Sequence, residues 1–426
     1  MTDKPGFETL AIHAGAAPDP TTGARVTPIY QTTSFVFDDV DHAASLFNLQ
    51  AFGNIYTRLT NPTNAVLEER IAALEGGTAA LAVASGHGAQ FLVFHTLMNP
   101  GDNFIASTRL YGGSITQFSS SFKRMDWHAR FVDVDDHAAV AAQIDDRTRG
   151  IFVESLANPG GVVVDIEAVA AIAHDAGIPL IVDNTMATPY LCKPFEHGAD
   201  IIVHSTTKFL SGNGSSVGGC VVDSGKFDFT GRDKFPSLSQ PAAEYHGLTF
   251  AETFGDLAYT MHSHAVGLRD LGACQSPINA WITLLGIETL ALRMERHCEN
   301  ASKVARHLES HPAVDWVSYA GLESSKYFKL RKRYMPRGAG GVFTFGLKGG
   351  YDAGVALVDR CELLSHLANI GDTRSLILHP ASTTHRQLTE EQLKAAGAGP
   401  EVIRISIGIE TVEDIIADLD QALAKA

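Results

Sequence analysis

The stretch that decides the fold is DIIVHSTTKFLSGNGSSVGG, residues 200–219. It begins as an apolar run typical of a buried strand, passes through Ser205, Thr206 and Thr207 to a single lysine, Lys208, and ends in small residues. A lysine in a partly buried setting rich in hydroxyl groups can have a lowered pKa and act as an amine nucleophile. The alternative is a solvated surface lysine, so Lys208 has to be judged together with the other strand ends.

Short, nearly continuous apolar runs alternate with helix-length segments between residues 65 and 223. This alternation predicts a mostly parallel α/β sheet with helices on both faces. From about residue 315, mixed strands and helices predict a smaller C-terminal α+β domain. The predicted domains are an N-terminal arm at 1–64, a large domain at 65–270 with an irregular insert after 225, and a C-terminal domain at 271–426. The predicted strands of the large sheet are TAALAVASG, DNFIAS, ARFVDV, RGIFVES, PLIVDN, DIIVHS and GGCVVD.

Composition excludes several classes of partner. Of the 426 residues, 48 are acidic and 33 basic, and this net charge of −15 argues against nucleic acid. The five cysteines form no C-x-x-C pair, which predicts reduced thiols in the cytoplasm rather than disulfides or a zinc cluster. No apolar run approaches the roughly 20 residues that span a bilayer. His262 and His264 are the nearest approach to a metal site, but no third ligand falls at suitable spacing, so no metal is predicted.

Polar groups follow three of the predicted strands, and ligands gather at the carboxyl ends of parallel strands. The segment ASGHGA, residues 84–89, leads from a strand into a helix whose first N–H groups would face an anion. Asp183 ends PLIVDN, where a buried carboxylate needs a partner, either a cap or turn, or a cationic nitrogen. With Lys208 these are the parts that pyridoxal phosphate needs: N–H groups for its phosphate, an acid for its ring nitrogen and a lysine for its aldehyde.

Motifs across residues 9–424 resemble those of the Cys/Met-metabolism pyridoxal-phosphate (PLP) enzymes, which have the aspartate-aminotransferase-like fold (fold type I). Within that family, LYGGS, the irregular insert and LANIGDTRSLILHPASTTH are similar to the O-acetylhomoserine sulfhydrylase branch. The resemblance implies γ-replacement, in which sulfide or a thiol such as methanethiol replaces acetate on O-acetyl-L-homoserine to give homocysteine or methionine. Methionine γ-lyase, cystathionine γ-synthase and O-succinylhomoserine sulfhydrylase activities are the alternatives. The motifs are YTRLTNPT, ASGHGA, LYGGS, ESLANPG, VDNTMATPY, HSTTKFLSGNGSSVGG and VIRISIGIE.

The resemblance implies how the chain holds its cofactor. Lys208 would bind the cofactor aldehyde covalently and then move protons, Asp183 would hold the pyridinium nitrogen, and Tyr111 would stack on the ring. The remaining residues implied at the cofactor are Gly86, His87, Ser205 and Thr207 at the phosphate and Asn158 at the ring.

The resemblance also implies an assembly and a substrate clamp. Tyr56 and Arg58 would reach the phosphate of a neighbouring subunit, so that active sites are shared within a homotetramer built as a dimer of dimers. Arg404 would bind the substrate carboxylate through both guanidinium N–H pairs, assisted by Asn369. Tyr111 or Tyr56 would act as acid or base near the leaving group, and the sequence does not choose between them.

Two positions depart from the pattern of relatives. The C–S lyases of the family commonly carry a cysteine two residues after the stacking tyrosine, and this chain has Gly113 there. The glycine argues against the methionine γ-lyase alternative. His87 stands where many relatives have methionine, a small change if only its backbone contacts phosphate.

Overall fold

The computed structural model of the protein describes residues 5–158, 161–384, 386 and 397–424. Several predicted parts lie partly outside this range: the N-terminal arm at 1–4, the C-terminal domain at 425–426, ESLANPG at Pro159 and Gly160, and the C-terminal motif at His385. Strands in the described part form two main sheets and one small hairpin. In chain order they are β1 Ala79–Val83, β2 Asn103–Ser107, β3 His128–Val132, β4 Thr148–Glu154, β5 Leu156–Ala157, β6 Val162–Val163, β7 Leu180–Asp183, β8 Ile201–His204, β9 Gly219–Asp223, β10 Val314–Ser318, β11 Val342–Leu347, β12 Ser365–His366, β13 Leu376–Leu378 and β14 Val402–Ser406.

The larger sheet has seven strands in the order β1-β9-β8-β7-β4-β2-β3. Each pair from β8 to β3 is parallel, whereas β9 runs antiparallel to both of its neighbours, β1 and β8. Consecutive residues of β2, β4 and β9 are all buried, so helices or loops cover both faces of the sheet. All seven predicted strands are present, and the predicted mostly parallel α/β sheet is confirmed.

Helix α3, Pro62–Glu75, begins and ends where its sequence supplies caps. The helix Pro62–Glu75 starts after Asn61, whose side chain accepts from the N–H of Thr63 at 2.9 Å, and it ends at Gly76 in the left-handed conformation. The α-helices in chain order are α1 Phe7–His13, α2 Val40–Phe47, α3 Pro62–Glu75, α4 Gly86–Leu97, α5 Gly112–Thr116, α6 His137–Ala142, α7 Ile166–Asp175, α8 Thr188–Leu191, α9 Pro236–Ser239, α10 Phe250–Phe254, α11 Ala258–His262, α12 Arg269–Leu271, α13 Pro277–Glu288, α14 Leu290–Glu309, α15 Phe328–Tyr334, α16 Gly350–Arg360 and α17 Val412–Leu423.

Helices α3 and α4 pack on the β1–β9–β8 edge of the large sheet, and α7 packs on β4 and β7. The smaller sheet has the order β10-β11-β14-β13-β12 and is mostly antiparallel. Helix α16 packs on β11 and β14, and α14 packs on β10. The predicted smaller C-terminal α+β part is therefore confirmed, and the region after residue 225 that looks irregular in the sequence contains the short helices α9 to α12.

Two ionic clusters join the parts of the chain that carry the two sheets. In one cluster Asp135 contacts Arg109 at 2.9 Å, Lys326 at 3.1 Å and the Tyr327 hydroxyl at 2.7 Å. In the other, Arg333 pairs with Glu167 at the start of α7. These contacts fix the segment that leads into α15 against the carboxyl ends of the large sheet.

Candidate active site

A cavity of about 230 Å³ opens at the carboxyl ends of the large sheet, between it and residues of the smaller sheet. Strands β4, β7 and β8 and the turn between β1 and α4 contribute one side, and β14 with the segment after β12 contributes the other. Ten of the residues singled out in the sequence line it, namely Gly86, His87, Tyr111, Asn158, Asp183, Ser205, Thr207, Lys208, Asn369 and Arg404. The structure therefore brings together residues separated by more than 300 positions.

One end of the cavity is suited to an anion. Ser85 caps α4 by accepting from the N–H of Gly88 at 3.1 Å, so the first turn of the helix faces the cavity. A side chain at Gly86 would place its Cβ 2.8 Å from that of Ser205, which is too close for any residue but glycine. Thr207 anchors the same end through its hydroxyl, which lies 3.1 Å from the N–H of Gly218.

Lys208 lies at the centre of the site. Its Nζ donates to Oδ1 of Asn369 at 2.5 Å. Burial, with a smaller contribution from the positive charge of Arg404, lowers the pKa of Lys208 to about 8. Roughly a tenth of such amines are neutral at pH 7, compared with well under a thousandth for a solvated lysine. Lys208 is thus prepared to attack an aldehyde.

Two acids lie side by side at the bottom of the cavity. Asp183 and Glu154 are register partners at the ends of β7 and β4. Burial raises the pKa of Asp183, and hydrogen bonds from the N–H of Thr185 at 2.9 Å and from Gln90 at 3.4 Å oppose the rise. Burial and then the charge of Asp183 raise the pKa of Glu154 to about 8. A cationic group beside Asp183 would stabilise its ionised form.

These features fit pyridoxal phosphate. The helix N-terminus with Ser205 and Thr207 suits its phosphate, Asp183 suits a protonated ring nitrogen, and the partly neutral Lys208 suits its aldehyde. The glycine at position 86 leaves the room that the phosphate end requires.

The lining also includes a guanidinium, that of Arg404 on β14, and an aromatic ring, that of Tyr111 in the segment after β2. Arg404 makes only long contacts, at 3.5 Å to Oδ1 of Asn158 and 3.4 Å to the carbonyl of Asn369, which leaves its donors available to a carboxylate. Burial lowers the pKa of Arg404, and the nearby Tyr111 opposes this. The Tyr111 ring is 48% exposed, and its centroid lies 5.9 Å from that of the His87 ring.

Tyr56 and Arg58 do not line this cavity. Tyr56 pairs with Ser34 in a β-bridge on the N-terminal arm, and Arg58 donates to the carbonyl of Arg269. The Arg58 guanidinium lies 5.6 Å from the centroid of the Tyr56 ring. Their role in the cavity of a neighbouring subunit stays a prediction.

Three polar residues that line the cavity were missed in the sequence. Glu154 ends RGIFVES as Asp183 ends PLIVDN, so the rule that found one acid applies equally to the other. Gln90 lies one helical turn after Gly86 and reaches the cavity from the same face of α4. Thr185 carries no such signal, because its position depends on the turn after β7.

Comparison with known proteins settles the family. The sequence profile described as Cys/Met metabolism PLP-dependent enzyme matches residues 8–424. The chain belongs to this family. The predicted resemblance and the predicted PLP cofactor are thereby confirmed for this Cys/Met metabolism enzyme.

Relatives and a solved structure agree with the family over the full length. The O-acetyl-L-homoserine sulfhydrylase of Leptospira meyeri is 48% identical over 98% of this chain and 96% of its own. The homocysteine synthase of Schizosaccharomyces pombe is 49% identical over 99% of this chain and 98% of its own. A crystal structure from Campylobacter jejuni, described as an O-acetylhomoserine (thiol)-lyase with a pyridoxyl-lysine phosphate, is 43% identical. It matches with a TM-score of 0.95 over 98% of this chain and 100% of its own, which confirms the fold of the Cys/Met metabolism enzymes.

Among the described residues, no helix is long and apolar enough to cross a membrane. In the same part of the chain, no group of three or more His, Cys, Asp or Glu side chains is arranged to hold a metal ion. All five cysteines are free.

Proposed function

We propose that this PLP-dependent enzyme transfers the aminocarboxypropyl group of O-acetyl-L-homoserine to sulfide, or to a thiol such as methanethiol. The products are homocysteine or methionine, and acetate. The observation that carries the proposal is the convergence of Lys208, Asp183 and Arg404 on one cavity, in a chain whose full-length relatives include O-acetyl-L-homoserine sulfhydrylases.

Each of three residues in the cavity has a separate role in the proposed reaction. Bound pyridoxal phosphate supplies an electron sink next to the substrate Cα. Lys208 Nζ, with its pKa near 8, removes the Cα proton and returns protons later in the cycle. Asp183 holds the ring nitrogen in its protonated form. Arg404 binds the α-carboxylate and so directs Cα toward Lys208.

The reaction exchanges one bond at Cγ. The C–O bond to acetate breaks, the leaving oxygen takes the electron pair, and the sulfur of the nucleophile forms the new C–S bond and loses its proton. We assign the transfer of that proton to Tyr111, because it is among the described residues that line this cavity whereas Tyr56 is not. The Tyr111 side chain is 48% exposed, so its hydroxyl is not sealed from a thiol that enters from solvent.

The charges of the cavity favour a neutral acyl group. Lys208 and Arg404 are the cationic side chains among the described lining residues, and burial lowers the pKa of His87, which keeps that ring neutral. Because Lys208 serves the cofactor and Arg404 the α-carboxylate, the described lining of this chain has no further cation for the distal carboxylate of a succinyl ester. The Arg58 that we propose below to come from a neighbouring subunit would be taken up by the cofactor phosphate.

A panel of donors and nucleophiles tests the proposal. O-acetyl- and O-succinylhomoserine are each assayed with sulfide, methanethiol and cysteine, and methionine is assayed alone. We expect kcat/KM with O-acetylhomoserine and sulfide or methanethiol to exceed that of the succinyl ester at least tenfold, which corresponds to about 1.4 kcal/mol. Preference for the succinyl ester, efficient use of cysteine, or release of methanethiol from methionine would each assign a different reaction to the site.

The assembly that we propose is a homotetramer in which Tyr56 and Arg58 complete the neighbouring active site. The arm that carries them exposes apolar side chains, with Val36 96% and Phe52 79% exposed, and such side chains are typical of a contact surface. Light scattering measures the mass. Mixing Tyr56→Phe with Lys208→Ala after mild dissociation should restore activity in hybrids if sites are shared, and no gain would refute sharing.

We also propose that the large domain extends from 65 to 270 and the C-terminal domain from 271 to 426, with the arm at 1–64. Limited proteolysis near residue 270 would test this division. The five free cysteines support a place in the cytoplasm, which cell fractionation would test.

A further inference from the structure

Glu154 is a buried acid to which the reaction described above gives no part. It is the last residue of β4, it is 4% exposed and it lines the cavity. Its Oε1 accepts from the backbone N–H of Tyr111 at 2.6 Å, and its Oε2 accepts from the backbone N–H of Asn158 at 2.9 Å. Both carboxyl oxygens are therefore used, and each holds a different loop.

The two loops carry different parts of the cavity lining. Tyr111 begins the short helix α5 and supplies the aromatic ring, and the side-chain oxygen of Asn158 lies 3.5 Å from the guanidinium of Arg404. A single side chain thus connects the position of the ring to the position of the carboxylate clamp. The loop that carries Asn158 has little strand pairing of its own to do this, since β5, which immediately precedes Asn158, is only two residues long.

Burying a carboxyl group at position 154 costs free energy. Its neighbour in the sheet register is Asp183, so burying it places two acids side by side in a region of low polarity. A glutamine of the same shape has one acceptor oxygen and one NH₂ group, which would face a backbone N–H as donor against donor. Two acceptors on one planar group are what the two loops require.

We propose that Glu154 is a positioning residue for the transfer reaction: it holds the backbones of Tyr111 and Asn158 at a fixed separation and so sets the ring and the Arg404 clamp in register. The kinetic part of this inference rests on the proposed function. The structural part does not, because it rests on the two hydrogen bonds of Glu154 and on the PLP dependence of the family.

The test is Glu154→Gln in the PLP-loaded enzyme, with three measurements. We expect the circular dichroism of the visible cofactor band to fall by at least half, because the ring that makes the cofactor environment asymmetric is no longer held. We expect kcat with O-acetylhomoserine and sulfide to fall at least tenfold and KM for O-acetylhomoserine to rise at least threefold. The thermal midpoint and the fraction of folded protein are measured on the same samples.

Glu68→Gln is the matched control. Glu68 on α3 also accepts a backbone N–H, that of Ala82 at 2.8 Å, and burial raises its pKa to about 8 as well, but it does not line the cavity. We expect this variant to keep the dichroism, kcat and KM of the wild type, whatever its thermal midpoint. Should Glu154→Gln not accumulate in folded form, Glu154→Asp, whose two oxygens sit on a chain one methylene shorter, is measured in its place.

Unchanged dichroism, kcat and KM in the Glu154 variant would overturn the inference. Losses matched by Glu68→Gln, or losses that follow only the folded fraction, would also overturn it. Altered dichroism with no turnover on any donor in wild type and variant alike would instead refute the proposed function and leave the positioning role supported.

Discussion

The substitution Gly113→Ala is expected to lower kcat while leaving the stability of the fold nearly unchanged. A Cβ at this position would lie 2.9 Å from Cζ of Tyr111 and 3.0 Å from Cε1 of His87, and closer still to Cε1 of Tyr111. An added Cβ makes ordinary van der Waals contact at 3.4 Å or more. The phenol ring must therefore move away by about 0.5 Å at Cζ and by roughly 1 Å at Cε1. The glycine therefore lets the ring occupy its place over the cavity.

The retreat should cost little stability. The Tyr111 ring is 48% exposed and can move toward solvent, and alanine is the better helix former by about 0.5–1 kcal/mol. Misplacing a catalytic wall by about 1 Å can cost on the order of 10²-fold in rate. We expect kcat to fall between roughly tenfold and a hundredfold while the thermal midpoint stays within about 3 °C of the wild type.

The assay is steady-state turnover of O-acetylhomoserine with sulfide, together with thermal unfolding. Gly6→Ala is the control, because a Cβ at Gly6 meets nothing closer than 3.7 Å and the backbone there suits any residue. A Gly113→Ala enzyme with kcat within threefold of the wild type would refute the reasoning. A variant that lost activity only in step with its folded fraction would refute it too.

The remaining predictions concern the cofactor and its clamp. Lys208→Ala should lose the yellow absorbance of the bound cofactor and nearly all turnover, and a variant that kept both would exclude Lys208. Asp183→Asn should weaken PLP binding, as measured by titration of the cofactor-free protein, and should lower kcat at least tenfold in the turnover assay. Uptake of PLP should rise with pH and be half-maximal near pH 8, because only the neutral Lys208 amine attacks and its pKa is lowered to about 8. Arg404→Gln should move that midpoint upward by removing a neighbouring positive charge, and an unmoved midpoint in rapid-mixing measurements would contradict this.

The sequence was sufficient to predict the large sheet and to bring Asp183 and Lys208 to one edge of it. Its strands are short, apolar and mostly separated by helices, so their type and their positions along the chain could be predicted from pattern alone, although their order within the sheet could not. Asp183 is the last residue of β7 and Lys208 lies shortly after the end of β8, and parallel strands bring their carboxyl ends to one edge. For these two residues, the local sequence pattern therefore predicts the tertiary position.

Other parts of the site depend on distances that no local pattern contains. Arg404 comes from β14 of the smaller sheet and Asn369 from the segment between β12 and β13, and their place could be expected only from resemblance to a family. The contact of Gly113 with the Tyr111 ring follows from the turn into α5, and the span of Glu154 from Tyr111 to Asn158 follows from two loops that meet in space. Tyr56 and Arg58 lie away from the cavity of their own chain, so their role depends on assembly.

The antiparallel strand β9 has a consequence for the order of synthesis. It is the last strand of the large sheet in the chain, yet it inserts between β1 and β8, and its first residue, Gly219, packs against the carbonyl of Ser85. The two halves of the phosphate end, one near residue 86 and the other near 205, come together only after this strand has left the ribosome. Arg404 follows some 180 residues later. A nascent chain therefore assembles its own part of the vitamin-binding pocket long before it can hold an amino acid there.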